Sequence, residues 1–432
     1  MVFNRDFYLN KLISRRENGR IKIITGIRRC GKSVLLFDIF KGYLLNEGVK
    51  EEQIVALKLD VAVNARYRNP LELDKYVREC ISDSTKQYYV LLDEIQEVRS
   101  IQNPWLDDKD ARIGFVDVLL GLLDKKNADV YVTGSNSRML SSDIMTEFKD
   151  RGDEIHVNPF IFKEFYDAYS GDKRLAWHDY CIFGGMPNVL KESSDEDKSR
   201  YLQELVRNTY LTDVIERNHI KNDISVLDDL LNVVASSVGS LTNPTKLQNT
   251  FASVSRKSVS DTTISLYLAH FVDAYILRKA NQYDIKGRKY IGSPQKYYFS
   301  DIGLRNAQLN FRQIDEGYMM ENVLYNELSA RGFNIDVGIV EHNYKDADGK
   351  SKRVRCEVDF VVNKINTRYY IQSAYAIPDE EKRIQETNSL RRIRDSYAKI
   401  VVMRDNIKPW HDENGILFIG IEDFLLGYID GL

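Results

Sequence analysis

The chain has 432 residues, with 61 Lys plus Arg against 64 Asp plus Glu and a formal net charge of -3. Its 43% hydrophobic and 29% charged content excludes a disordered or collagen-like chain, and no run reaches the roughly 18 apolar residues of a bilayer crossing. The near balance of charge excludes a uniformly basic nucleic-acid coat while leaving room for a local basic patch. At about 150 residues per domain, two to four domains are expected. The opening twenty residues lack the apolar core of a secretory signal, so a cytoplasmic location and no membrane partner are expected. Cys30, Cys80, Cys181 and Cys356 lie far apart and the six histidines are scattered, which suggests neither a zinc site nor a disulfide framework.

Taken in chain order, residues 21–26 read as a buried strand ending in a glycine turn, and 32–45 have helical spacing. Strands follow at 54–60, 88–94 and 129–135, separated by helices at 71–81 and 115–126, with a last strand near 155–160. Strands alternating with helices predict an α/β fold, a parallel sheet with helices on both faces. The unbroken apolar runs agree with strands buried on both sides. From 161 to 240 the pattern is mostly helical, interrupted at 183–187. Residues 226–300 hold short helices and then a hairpin, and 310–432 return to mixed strands and helices.

The sharpest signal is Gly26-Ile27-Arg28-Arg29-Cys30-Gly31-Lys32-Ser33, which fits GxxxxGK[ST] directly after a strand and at the start of a helix. Glycines let the backbone curl so that its N–H groups face phosphate oxygens, and the helix start adds partial positive charge. The run from Gly26 to Val34 is therefore expected to bind ATP, with Lys32 on the β- and γ-phosphates and the Ser33 hydroxyl on Mg2+. Asp93 and Glu94, at the end of an apolar strand about 60 residues on, suit the outer magnesium shell and polarisation of the attacking water respectively. After the strand ending at Thr133, Asn136, with Ser135 close behind, is expected to position the lytic water; capping of a helix explains the same residues equally well. Arg151 would act on a neighbouring subunit as an arginine finger. Arg138 is its rival, and a solvated surface arginine is the plainer reading of either.

Together, residues 26–33, 91–96 and 132–140, followed by 158–165, resemble the AAA-type ATPases of bacteria and archaea that carry a C-terminal domain of unknown function. Residues 180–190, 209–218, 296–307 and 317–362 are similar to the same family, so the resemblance covers nearly the whole chain. It implies an AAA-type ATPase domain at 1–160, a helical lid or linker at 161–225, a winged-helix segment at 226–305 and a nuclease-like α/β domain at 306–432.

Read on their own, residues 241–300 run helix, turn, helix, hairpin, which is the order of a winged helix. Arg256, Lys257, Lys286, Arg288 and Lys289 would then supply contacts to the phosphates of double-stranded DNA; packing or protein contact is the alternative use. Further on, Glu321, Glu357, Asp359 and Gln372 follow the order of the PD-(D/E)xK nuclease pattern, but Gln372 stands at the second acid and Ala374 at the lysine. An amide is a poor metal ligand and alanine cannot orient water, so a nuclease-like fold without nuclease activity, or one that retains nucleic-acid binding, is expected. Three functions compete: an ATP-driven switch or motor acting on DNA or a protein partner, a signalling NTPase that assembles as a homo-oligomer in response to nucleotide, and, least favoured, an ATP-regulated nuclease.

Overall fold

The computed structural model describes residues 3–134, 151–220, 224–255, 259–312, 315–345 and 351–432. The chain forms two compact units, one of Met1–Asn158 with Asp273–Tyr275, the other of Pro159–Val272 with Ile276–Leu432.

The first unit is built on five strands, β1 (Ile21–Thr25), β2 (Ile54–Lys58), β3 (Tyr88–Asp93), β4 (Ala128–Thr133) and β5 (Gly152–His156). They lie in the order β2-β3-β4-β1-β5 and all pairs are parallel. β1 and β3 are buried at every residue, as strands covered on both faces must be, while β5 at the edge is buried only at Gly152 and Ile155. Ile23, Val55, Val90, Val118, Leu122 and Val132 belong to one apolar core. The helix Pro70–Cys80 starts where Asn69 accepts from the Leu71 N–H and proline occupies the first turn. Lys22 is fully buried in β1, where the Asp129 carboxylate meets its ammonium.

Because β4 is inserted between β3 and β1, the turns leaving β1 and β3 open at the same carboxyl edge on either side of it. In open parallel sheets, that edge is where ligands bind. The run after β1 is helical as expected, but it opens at Lys32–Val34, passes through a π-helical turn at Leu35–Phe40 and closes at Lys41–Asn46.

The second unit begins with helices, among them Ala176–Phe183, Asp195–Glu204, Ile224–Ser236 and Pro244–Ser255, and continues into an eight-stranded mixed sheet. Its strands are β6 (Leu277–Asp284), β7 (Lys289–Phe299), β8 (Asn334–Lys345), β9 (Ser351–Lys364), β10 (Thr367–Ala374), β11 (Ala398–Met403), β12 (Trp410–His411) and β13 (Leu417–Gly420). They lie in the order β12-β13-β11-β10-β9-β8-β6-β7. The expected hairpin is present as antiparallel β6 and β7, yet β6 also pairs in parallel with β8. Residues 226–305 and 306–432, written as separate segments from the sequence, thus share one sheet.

The Gly184-Gly185 break is locked by Asp301, which accepts from the Gly185 N–H at 2.6 Å and caps the helix Ile302–Gln308 through the Leu304 N–H at 3.2 Å. A Cβ on Gly185 would stand 2.1 Å from the Phe160 carbonyl oxygen, so only glycine fits. Among the described residues no helix is long and apolar enough to cross a membrane.

Candidate functional site

The loop from Gly26 to Gly31 leaves β1 with Gly26, Arg29 and Gly31 at positive φ, which bends the backbone around an inward-facing concavity. Gly26 has no substitute here: a Cβ would stand 2.1 Å from the Val157 carbonyl oxygen. Cys30 is buried and its thiol donates to that same carbonyl, while Arg5 donates to the carbonyls of Cys30 and Asn158 at 3.0 and 2.8 Å. The loop is therefore fixed from behind by its own unit. Lys32 turns its ammonium into the concavity, donating to the carbonyls of Gly26 and Ile27 at 2.9 and 3.1 Å. Ile27 is buried, Arg28 half-buried and Arg29 exposed; Val34 points outward.

Across the edge, Asp93 ends β3 with its carboxylate buried and hydrogen-bonded by the hydroxyls of Thr133 and Ser33. Burial pushes this carboxyl above its ordinary range, the two hydroxyls pull it down, and nearby Glu94 and Asp60 push it up. Ser33 and Asp93 thus present a hydroxyl and a carboxylate to one point. That is a hard oxygen donor set suited to Mg2+. Glu94 follows in the left-handed region at φ 53, its N–H donating to Thr133 Oγ1 at 3.0 Å and its carboxylate receiving the Gln96 side-chain amide. Thr133 therefore ties together the ends of β3 and β4 with one oxygen. Sequence reasoning passed it over for its neighbours, although a hydroxyl ending the strand beside an Asp-Glu pair is a usable signal.

Asn136, its neighbour Ser135 and the rival Arg138 lie outside the described residues, as do Arg256 and Lys257. Arg151 is exposed and its carbonyl accepts from the Ile21 N–H at the opposite end of β1. Five strand residues separate it from Gly26, about 16 Å. It is not brought to the phosphate loop of its own chain. Lys286 and Arg288 are exposed in the turn between β6 and β7, and Lys289 is exposed at the start of β7.

In the second unit, Glu321 (on the helix Glu316–Ala330) and Glu357 and Asp359 (on β9) converge on a residue that sequence reasoning did not single out. Lys296 of β7, almost fully buried, sets its ammonium 2.8 Å from Glu321, 2.6 Å from Glu357 and 3.9 Å from Asp359. Tyr298 donates to Glu321 at 2.6 Å and the Ser373 N–H to Asp359 at 2.8 Å. Gln372 accepts from the Asp359 N–H at 3.4 Å, and Ala374 is buried. Burial and the neighbouring Glu321 carboxylate hold the Asp359 carboxyl well above its usual range, although Lys296 opposes this. The three carboxylates keep the Lys296 ammonium protonated against its desolvation. No local signal marks Lys296, which reads as one more residue of a hairpin strand.

Residues 18–166 match the AAA domain family, and residues 174–315 match a domain of unknown function, DUF8612. An uncharacterized protein of Haemophilus influenzae is 31% identical over 431 residues, 98% of this chain and 99% of that protein. An uncharacterized protein of Methanocaldococcus jannaschii is 28% identical over 424 residues, 93% of this chain and 82% of that protein. Among solved structures, a Walker-type ATPase of Pyrococcus abyssi is similar with a TM-score of 0.48 at 13% identity, over 71% of this chain and 96% of that one. The chain belongs to the family of the Haemophilus influenzae protein, and its residues 18–166 form an AAA domain.

Proposed function

We propose that this protein binds ATP with Mg2+ in the Gly26–Ser33 loop and hydrolyses it, as a nucleotide-driven switch or motor working on DNA or on a protein partner. The observation that carries the reading is the meeting of Lys32, Ser33, Asp93 and Glu94 at one edge of the parallel sheet. The loop N–H groups and the Lys32 ammonium receive the phosphate oxygens, the lysine exchanging two carbonyls for stronger charged acceptors. Ser33 and Asp93 hold the ion, which when bound neutralises charge on the β- and γ-phosphates. Glu94 orients the attacking water and takes its proton, while Thr133 holds the Glu94 backbone. Asn136 or Ser135 completes the positioning of that water.

Arg151, at the far edge of the sheet, reaches a phosphate only on a neighbouring copy, so its use as a finger requires a homo-oligomer. Lys286, Arg288 and Lys289, with Arg256 and Lys257, form the proposed contact with double-stranded DNA.

Phosphate release from the wild type and from Lys32→Ala, each with and without double-stranded DNA, tests this. Turnover that DNA stimulates and Lys32→Ala removes supports the DNA-directed reading. Turnover indifferent to DNA moves the reading to a protein-directed switch. Turnover that survives Lys32→Ala sinks the site assignment.

A further inference from the structure

We infer that Lys296 is a tethered counter-cation seated where a divalent metal would have to bind, so that the carboxylate cluster of the C-terminal unit is closed to metal. The ammonium lies 2.8 Å from Glu321 Oε1 and 2.6 Å from Glu357 Oε1, with Asp359 Oδ1 at 3.9 Å. A magnesium ion bridging the first two oxygens would sit about 2.1 Å from each. Its position and the ammonium's then overlap, and the two positive charges repel at close range. The lysine cannot swing away cheaply, because its side chain is 3% exposed and its own backbone is held in register opposite Ala280 of β6.

The carboxylate oxygens are committed as well. Glu321 Oε1 also accepts from the Tyr298 hydroxyl, and Asp359 Oδ2 accepts from the Ser373 N–H. Among the described residues no set of three or more His, Cys, Asp or Glu side chains is arranged to hold a metal ion. The two departures read from the sequence, Gln372 and Ala374, belong to the same change: one carboxylate is missing from the metal shell and the lysine has no place beside it. Lys296 enters from another strand and satisfies the acids that remain. Two of the three carboxylates, Glu321 and Asp359, are buried, and burying them without a counter-charge is unfavourable; here the cation is covalently attached.

The test is a Mn2+ titration of the nucleotide-free full chain, followed by calorimetry, for wild type, Asp359→Asn, Lys296→Met and the double variant. The wild type is expected to take up no Mn2+ that Asp359→Asn removes, at concentrations up to about 1 mM. Lys296→Met, unbranched, one atom shorter and without charge, is expected to gain at least about tenfold in Mn2+ affinity, and the added Asp359→Asn to abolish that gain. Tight Mn2+ uptake by the wild type that Asp359→Asn removes would overturn the inference, since the lysine would then yield to metal. So would a folded Lys296→Met, judged by its thermal transition, that gains no Mn2+ site. Should Lys296→Met not fold, the comparison of wild type with Asp359→Asn still decides the matter.

Discussion

Replacing Thr133 with valine exchanges one hydroxyl for a methyl group of the same size, so the core of the AAA unit keeps its volume and loses only an oxygen. That oxygen donates to the buried Asp93 carboxylate and accepts from the Glu94 N–H at 3.0 Å. A hydrogen bond to a charged group contributes about 1.5–3 kcal/mol, and an orphaned backbone N–H costs about 1–3 kcal/mol. The two losses share one atom and will not add fully, so about 3 kcal/mol of local stability should disappear. At about 1.4 kcal/mol per factor of ten, amides of β3 and β4 should exchange with deuterium about two orders of magnitude faster. Thr133→Ser should exchange like the wild type.

A second effect follows from Asp93. Its carboxyl is already raised by burial, and the Thr133 hydroxyl opposes that rise, so the variant raises it further. A carboxyl raised in the folded state binds protons more readily there than in the unfolded chain. The folded state therefore loses this contribution to stability as pH climbs through the folded value. Mg2+ needs the ionised form, so Mg2+-dependent nucleotide binding by Thr133→Val should be weakest at acid pH and approach the wild type as pH rises. Unchanged exchange in residues 88–93 and 128–133, together with a wild-type pH profile, would refute the role given to this oxygen.

Glu94→Gln should retain nucleotide affinity in a fluorescent-analogue titration and lower phosphate release by about 100-fold or more; loss of binding would mark the residue as structural. In the second unit, burial pushes Asp301 up to about 6. The folded chain thus gains protons before the unfolded chain does, and its thermal midpoint should fall as pH rises from about 4 to about 6. Asp301→Asn should flatten that slope while lowering the midpoint at pH 5, because it weakens the bonds to the Gly185 and Leu304 N–H groups. A slope unaltered by the substitution would assign the pH dependence to another group.

The order of elements in the AAA unit was legible without coordinates because its signals are local. An unbroken apolar strand, a glycine turn and a helix start occupy contiguous residues, so Gly26 to Ser33 announce their own geometry. Asp93-Glu94 needs only the strand it ends. The hairpin β6–β7 was legible for the same reason, since its turn and both strands adjoin one another. What joins distant residues was not. Thr133 matters because β4 lies beside β3, and Arg151 is remote because β5 runs parallel to β1 from the opposite edge. Lys296 meets Glu321, Glu357 and Asp359 only once a hairpin strand, a helix and β9 have packed together. Sequence alone determined which chemistry each short segment carries, since turns, caps and strand burial depend on neighbouring residues. Tertiary structure alone decided which segments share a site, since strand order and register are set by the burial of whole faces and leave no mark on any single stretch of chain.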